Sequence, residues 1–521
     1  MTITEQPLTT ADAELSRVRR MLTLRQDVKV AAEGDDVELT HPWGRQRVHA
    51  LGAPTVRRLL ALGAGPVDAD ALAGDREAGR LLSLLGRFPY LVTSILDDPL
   101  TGPLATAVPI ARSAATPGAP DLGTTAVVLS RFAYLRRLPD GPADGGGGTI
   151  GQGCVMESPL APYRVTLHQS AAAAFVAALT TPRTVAEAAA LAGLPEQSGA
   201  ALAALLAGTG FMEPAAGAAV GAAPALPAAD PPLWDFHDLL FHSRSRAGRH
   251  DYTSGGVFAH QDVPHPPALP GAGSNEDEPG IDLPVPDWDE VTARDPRLTE
   301  VLEGRRSIRT YAETPVTLEQ IAELLYRAAR VRQVIPRDPS SPNSYDAIDR
   351  PYPAGGATGE LEIYLSVAAC EGLPTGVYRY DAAAHRLQPR RWHGAADEAA
   401  FRELLTAAWR ATNCTVDPQV LLTVTSRFGR LSWKYSQIAY ALTLKHVGVL
   451  YQTLYLVATA MGLAPCGLGS GDTDAAARAL GLDWTSESSV GEFLIGSRPA
   501  SGSGSLPQGF CDIVDTMREQ G

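Results

Sequence analysis

Two stretches of the chain carry residue types that do chemistry. Gly304–Tyr311 reads GRRSIRTY and sets Arg305, Arg306, Ser307 and Arg309 within five residues. Guanidinium groups are permanently charged, planar and rich in donors, so this spacing suffices to hold a phosphate and still face an electron-rich ring. Its chemistry is anion capture. Leu431–Gly469 opens on the adjacent pair Lys434 and Tyr435, runs into a long apolar segment and ends at the turn Pro465–Gly469. An amine beside a phenol moves protons, and a glycine-punctuated turn brings backbone N–H groups against a flat ligand. Singly, each motif also fits an ordinary helix start or strand end. Their combination and order point to one site.

The elements around these residues must place them. Neighbours on a strand face opposite ways, so Lys434 and Tyr435 reach one substrate only if the backbone bends; a loop or strand end is predicted at Trp433–Ser436. Val447–Leu463 approaches a membrane span in apolarity, but Gln452, Thr453, Thr459 and two glycines interrupt it. It also falls short of the roughly 20 residues a bilayer needs. The spacing predicts a helix buried on most of its faces, in a core or a subunit interface, and no membrane partner.

At 521 residues the chain exceeds one compact core, and roughly three domains are expected. A net charge of −14 argues against nucleic acid, whose binding rests on phosphate contacts. Cys154, Cys370, Cys414, Cys466 and Cys511 lie far apart without a C-x-x-C pair, and His237 and His242 are five apart where one helical face needs four. Neither a metal site nor a disulfide framework is expected. The first residues, MTITEQPLTTADAELSRV, lack an apolar h-region, which predicts a cytoplasmic protein.

Residues 1–115 and 116–213 read as two weakly similar modules, each a strand, helices and a strand, separated by a loop containing Gly145–Gly148. In the first, His41–Gly44 is a turn, helices follow at Pro54–Leu62 and Asp75–Gly86 with Asp75 as N-cap, and Tyr90–Thr93 is strand-like. In the second, strand Tyr163–His168 precedes helices at Ser170–Leu179, Thr184–Ala192 and Ser198–Ala207, with Thr184 and Glu187 at capping-box spacing. This order is winged-helix-like. The third helix has no Lys, Arg, Asn or Gln in SGAALAALLA, so DNA readout is not expected; packing modules or a peptide clamp are. Residues 214–295 form a linker and wrapping segment, rich in Pro, Gly and acid, with a helix and basic stretch at Trp234–His250. Residues 296–521 form the catalytic domain.

From about residue 234 the chain resembles the flavin-dependent nitroreductase superfamily, and within it the SagB-type (McbC-like) azoline dehydrogenases, or thiazole/oxazole oxidases. The resemblance rests on an ordered set: WDFHDLLFHSRSRAGRH, GRRSIRTYAETPVTLEQIAELLYRA, RPYPAGGATGELEIYL, GVYRYDAAAHRLQP, SWKY, HVGVLYQTLYLVATAMGLAPCGLG and a terminal VGEFLIGSRP. It implies an α+β fold, with a nitroreductase-like FMN-binding domain behind the two winged-helix-like α/β modules. It implies a homodimer with FMN at each subunit interface. It also implies oxidation of thiazolines or oxazolines, made by a YcaO cyclodehydratase in a ribosomal precursor peptide, to thiazoles or oxazoles.

By the same resemblance, Arg305, Arg306, Ser307 and Arg309 contact the FMN phosphate and pyrimidine edge. Pro353, Ala354, Gly355 and Gly356 form a turn along the isoalloxazine, often from the second subunit; Ala354 replaces a serine found in many members, leaving only its backbone. Cys466, Gly467, Leu468 and Gly469 aim N–H groups at the N5 and O4 region, and Arg498 lies near the phosphate. Lys434 and Tyr435 are the catalytic pair. For Cys466 the competing roles are a nucleophilic or redox thiol and a small buried residue, and the absent partner cysteine favours the latter.

Aromatising an azoline removes a proton and a hydride from adjacent ring carbons. A bound FMN accepts the hydride at N5, and nearby cations stabilise charge on N1–C2=O. The proton requires a base: a neutral Lys434 in an apolar site, or a Tyr435 phenolate beside a cation. Without a dinucleotide fingerprint, O2 is the expected final acceptor. The amino-terminal half would hold the peptide. The rival expectations are an NAD(P)H-dependent nitro- or quinone reductase, and a flavin-free scaffold for a cyclodehydratase complex.

Overall fold

The computed structural model describes residues 18–72, 76–118, 120–137, 153–215, 233–271 and 279–499. Two compact units divide the chain at Ser254/Gly255.

The first unit is built on a seven-stranded antiparallel sheet of β1 (Arg19–Leu24), β2 (Val67–Asp68), β3 (Val92–Asp98), β4 (Gly102–Pro109), β5 (Tyr134–Arg137), β6 (Cys154–Glu157) and β7 (Tyr163–Leu167). Their order is β2-β1-β3-β4-β7-β6-β5. Helices α1 (Ala53–Ala64), α2 (Arg76–Arg87), α3 (Ser170–Ala178), α4 (Val185–Ala192) and α5 (Glu196–Thr209) supply Leu59, Leu62, Leu81, Phe175 and Leu202 to a single core. The expected border at 115/116 does not separate two bodies. β4 pairs with β7 in the register Val108↔Arg164 and Ala107↔Val165, so the two modules share one sheet and one core.

Several local expectations hold. Thr184 and Glu187 close a capping box at the start of α4, and His41↔Gly44 close a two-residue hairpin turn. That hairpin belongs to a three-stranded meander, Lys29–Glu33, Asp36–His41 and Gly44–Val48, of which only the turn was expected. Its outer strands are mostly exposed and charged, so they lack an apolar alternation. Asp75 as N-cap, the loop at Gly145–Gly148 and Cys511 lie outside the described residues.

After α6 (Phe236–Arg244), a buried ionic cluster ties residues 251–252 to the first unit. Arg164 donates to Asp251 at 2.7 Å and to Glu157 at 2.9 Å, and Arg25 reaches Asp251 at 3.1 Å. Burial alone would raise the Glu157 carboxyl, but the guanidiniums of Arg164 and Arg244 outweigh it and hold it down at about 2.

The second unit carries its own antiparallel sheet of β8 (Ile281–Asp282), β9 (Leu361–Val367), β10 (Gly376–Asp381), β11 (Arg386–Pro389), β12 (Val420–Arg427), β13 (Ala464–Gly467) and β14 (Glu487–Gly496), in the order β8-β11-β10-β9-β12-β14-β13. β9 and β12 are buried on both sides. Leu361, Ile363, Leu365, Leu422 and Val424 face one core, while Tyr364 and Leu421 face another. Short helices α7 (Trp288–Arg294) and α8 (Leu298–Gly304) lead into the domain. α9 (Leu318–Ala329) covers the first core and α10 (Ala395–Ala411) the second. Past the short α11 (Phe428–Ser432), the long α12 (Ala439–Ala460) adds to the first core and α13 (Thr473–Leu480) to the second. This is the α+β architecture expected.

The second unit begins earlier than the expected catalytic domain. Gly255–Gly256 pairs with Tyr435–Ser436, and Arg427 and Arg430 donate to the carbonyls of Pro266, Pro267 and Ala268. A segment read as linker is thus built into the catalytic unit. No helix among the described residues is long and apolar enough to cross a membrane.

Candidate active site

The backbone bends at Lys434 as expected. α11 ends at Ser432, Trp433 and Lys434 form a turn, and Tyr435–Ser436 is a two-residue strand. This brings both side chains to the Pro353–Gly356 turn. Gly356 has φ +64°, and a Cβ there would lie 2.6 Å from Lys434 Nζ, 2.6 Å from Tyr345 Oη and 3.0 Å from Tyr435 Oη. An amine and two phenols therefore converge on one glycine. Lys434 Nζ donates to Tyr345 Oη at 2.6 Å, and Tyr345 donates to Gly356 O at 2.7 Å.

Burial alone would lower the Lys434 amine, but its hydrogen bond to Tyr345 and the charges it would share with Tyr345 and Tyr435 win, and its pKa is raised. Of the two expected bases, the neutral lysine is thus the disfavoured one. Lys434 stays an ammonium, with its charge 5.2 Å from the Tyr435 ring.

The turn is anchored from beneath. His446 on α12 accepts the Gly355 N–H at Nε2, 2.7 Å, and its Nδ1 faces Glu360 Oε1 at 2.5 Å. An N–H can only donate, so Nε2 carries the lone pair and Nδ1 the proton. Glu360 is wholly buried and accepts from Thr358 through its second oxygen at 3.1 Å. Pro353 and Gly356 are exposed, whereas Ala354 and Gly355 are half-buried.

The arginine stretch forms a second cluster. Ile308 is buried and its N–H donates to Pro465 O; farther along, Ala312 N–H donates to Ser497 O. These two bonds lay residues 308–312 beside β13 and the end of β14; Arg498, next to Ser497, is exposed. Tyr455 on α12 binds the parts together. Its hydroxyl lies 2.7 Å from Ser307 Oγ and accepts the Gly467 N–H at 2.7 Å, with the Arg305 guanidinium 5.1 Å above its ring. Arg306 and Arg309 are exposed.

Three guanidiniums and a hydroxyl on one extended segment fit a phosphate. The following turn fits its expected role less completely. The Gly467 N–H is taken by Tyr455 and the Leu468 N–H by Glu492 O at 2.9 Å, so neither is offered to a ligand. Cys466 is fully buried and burial pushes its thiol up, against the pull of Arg309, which makes it a packing residue rather than a nucleophile.

The two clusters leave α12 from different faces. His446 and Tyr455 are nine residues apart, which is about two and a half turns and about 13 Å along the axis. The structure joins Lys434 and Tyr435 to the Gly355–Gly356 turn, and separately joins Arg305, Ser307 and Gly467 through Tyr455.

Sequence reasoning missed Tyr345, Glu360, His446, Tyr455 and Arg430. Arg430 is fully buried, and none of the ion pairs among the described residues involves it. It donates instead to Thr358 O at 2.7 Å, Pro266 O at 2.6 Å and Asp346 O at 2.7 Å, and its Nη1 lies 3.2 Å from His265 Nδ1. Burial, with Arg427 nearby, lowers it to about 10.

Residues 302–497 match the Nitroreductase family, and residues 127–251 match the cyanobactin oxidase ThcOx. The chain is 28% identical over 190 residues to a Methanocaldococcus jannaschii protein named as a nitroreductase, covering 36% of this chain and 84% of that protein. Among solved structures, the E. coli microcin synthetase McbBCD complex with truncated pro-MccB17 bound aligns at 21% identity and TM-score 0.32, over 50% of this chain and 91% of that one. A Desulfovibrio desulfuricans nitroreductase in complex with FMN aligns at 16% identity and TM-score 0.26, over 42% and 95%. The chain is thus similar to the Nitroreductase family over residues 302–497 and to the cyanobactin oxidase ThcOx over 127–251.

Proposed function

We propose that this protein is an FMN-dependent dehydrogenase that oxidises thiazolines or oxazolines in a ribosomally made peptide to thiazoles or oxazoles. The observation that carries the reading is the convergence of Lys434 Nζ and Tyr435 Oη on Gly356, the turn assigned to the isoalloxazine. Arg305, Arg306, Ser307 and Arg309, with Arg498, would hold FMN, which would supply a two-electron acceptor, with O2 as the final oxidant. The chain's own residues do the rest. To take the ring proton, Tyr435 must act as its phenolate, with the Lys434 Nζ 5.2 Å from its ring. The Gly355–Gly356 turn, with no side chains, lets a flat ring approach.

The two clusters face apart in a single chain, which supports a homodimer in which the arginines of one copy meet the Gly356 cluster of another. An exposed stripe on α12 at i, i+4 spacing, Tyr440, Leu444 and Gly448, fits such an interface. The first unit, which contains the ThcOx-type match, is assigned to holding the precursor peptide, and a YcaO cyclodehydratase is the source of the azoline.

Heating the purified protein and weighing what it releases tests the cofactor. FMN in about one copy per chain supports the reading; a colourless protein, without the absorbance near roughly 450 nm common to flavins, favours the scaffold instead. The nitroreductase-family match favours a second reading, NAD(P)H-dependent nitro or quinone reduction, which rapid NADH turnover with a nitroarene would support.

A further inference from the structure

Tyr345 belongs to none of the motifs that mark the site, yet it sits at the centre of the Lys434 cluster. A phenol has one proton, and Tyr345 gives it to Gly356 O, so the oxygen that meets Lys434 Nζ at 2.6 Å is accepting. Its ring is held too. His265 stacks on it at 5.0 Å and Trp433 packs edge-on at 6.1 Å.

One buried guanidinium frames all of these groups. The carbonyls that Arg430 engages belong to Asp346, next to Tyr345; to Pro266, next to His265; and to Thr358, two residues from Gly356. Arg430 itself lies four residues before Lys434. A single side chain thus sets the relative placement of the four segments that meet at Lys434.

We infer that Tyr345 is a positioning residue, framed by Arg430, that fixes Lys434 as an ammonium beside Tyr435; its part in turnover rests on the reading of Lys434 and Tyr435 given above. With the ammonium tied to Tyr345, its charge is held beside Tyr435 and its proton is not surrendered to substrate.

The chain has only three lysines, Lys29, Lys434 and Lys445. Labelling lysine at Cε with 13C therefore gives three resonances whose titration is followed singly in the intact protein. Tyr345→Phe keeps the ring and removes only the hydroxyl. Gly356→Ala places a Cβ 2.6 Å from both Nζ and Oη and so parts them. In both variants the Lys434 resonance should titrate at lower pH than in the parent, while Lys29 and Lys445 stay in place. With an azoline peptide, Tyr345→Phe should lose about tenfold or more in turnover, the scale of a lost charged contact at a reaction centre.

An unmoved Lys434 titration in both variants overturns the proposal. So does a lowered titration with turnover intact, because Tyr345 then positions nothing the reaction uses. If the parent protein leaves azolines unchanged, the proposed function fails, while the NMR titration still decides whether Tyr345 fixes Lys434.

Discussion

Replacing Glu360 with alanine should loosen the glycine turn without touching Lys434 or Tyr435. The carboxylate is wholly buried, with one oxygen 2.5 Å from His446 Nδ1 and the other 3.1 Å from Thr358 Oγ1. Its loss strands an imidazole N–H and a hydroxyl in the interior, each at about 1–3 kcal/mol. The expected destabilisation is about 2–6 kcal/mol, the two losses together. Glu360→Gln still accepts from Nδ1–H, and Thr358 can turn its hydroxyl to accept from the new amide, so it should cost about 1 kcal/mol. His446→Ala removes the acceptor for the Gly355 N–H. The double variant should cost less than the sum by about 1–3 kcal/mol, because the two side chains act as a unit. Urea unfolding measures the energies, and amide exchange across 353–358 reports the turn. Equal stability of Glu360→Ala and Glu360→Gln, or unchanged exchange at Gly355, would refute this chain of support.

Two further perturbations follow from buried charge. Glu492 lies under the turn after β13, where a Cβ on Gly471 would lie 2.2 Å from its Oε2, and burial, with Asp472 nearby, raises its carboxyl to about 7. A folded-state pKa raised above the unfolded value contributes stability that is full below about 4.5 and lost as pH rises through about 7. Glu492→Gln should flatten that decline, and parallel urea midpoints from pH 5 to about 8 for variant and parent would contradict it. In the first unit, Asp251→Ala leaves Arg164 and Arg25 buried without this carboxylate, and about 3–5 kcal/mol should be lost. A loss under about 1 kcal/mol, by denaturant unfolding, would show that the cluster does not hold residues 251–252.

Local signals were legible in the sequence and non-local ones were not. The capping box at Thr184, the turn at Pro42–Trp43 and the bend at Trp433–Ser436 each follow from a few adjacent residues. The β4–β7 pairing that merges the first two modules joins strands about fifty residues apart, and nothing in either strand specifies the other. The docking of residues 255–268 escaped for a different reason. It is held through backbone carbonyls that accept from Arg427 and Arg430, and a carbonyl leaves no trace in residue type. Motif order singled out Lys434, Tyr435 and the arginines, which the single chain holds in two separate clusters. Glu360 and His446, 86 positions apart, look like an ordinary strand start and helix residue until the fold pairs them. The Cys466–Gly469 turn shows the converse. Its glycines suggested free N–H groups, but Tyr455 and the Glu492 carbonyl claim two of them.

The central claim is that Tyr435 removes a ring proton beside the Lys434 ammonium, with a bound flavin as the hydride acceptor. The direct measurement is the mass of an azoline-containing peptide after incubation in air with the parent protein, Lys434→Ala and Tyr435→Phe, each shown to retain its flavin. The parent should remove two hydrogens per ring, and both variants should leave the peptide largely unchanged. Near-parental turnover in both yellow variants would contradict the account.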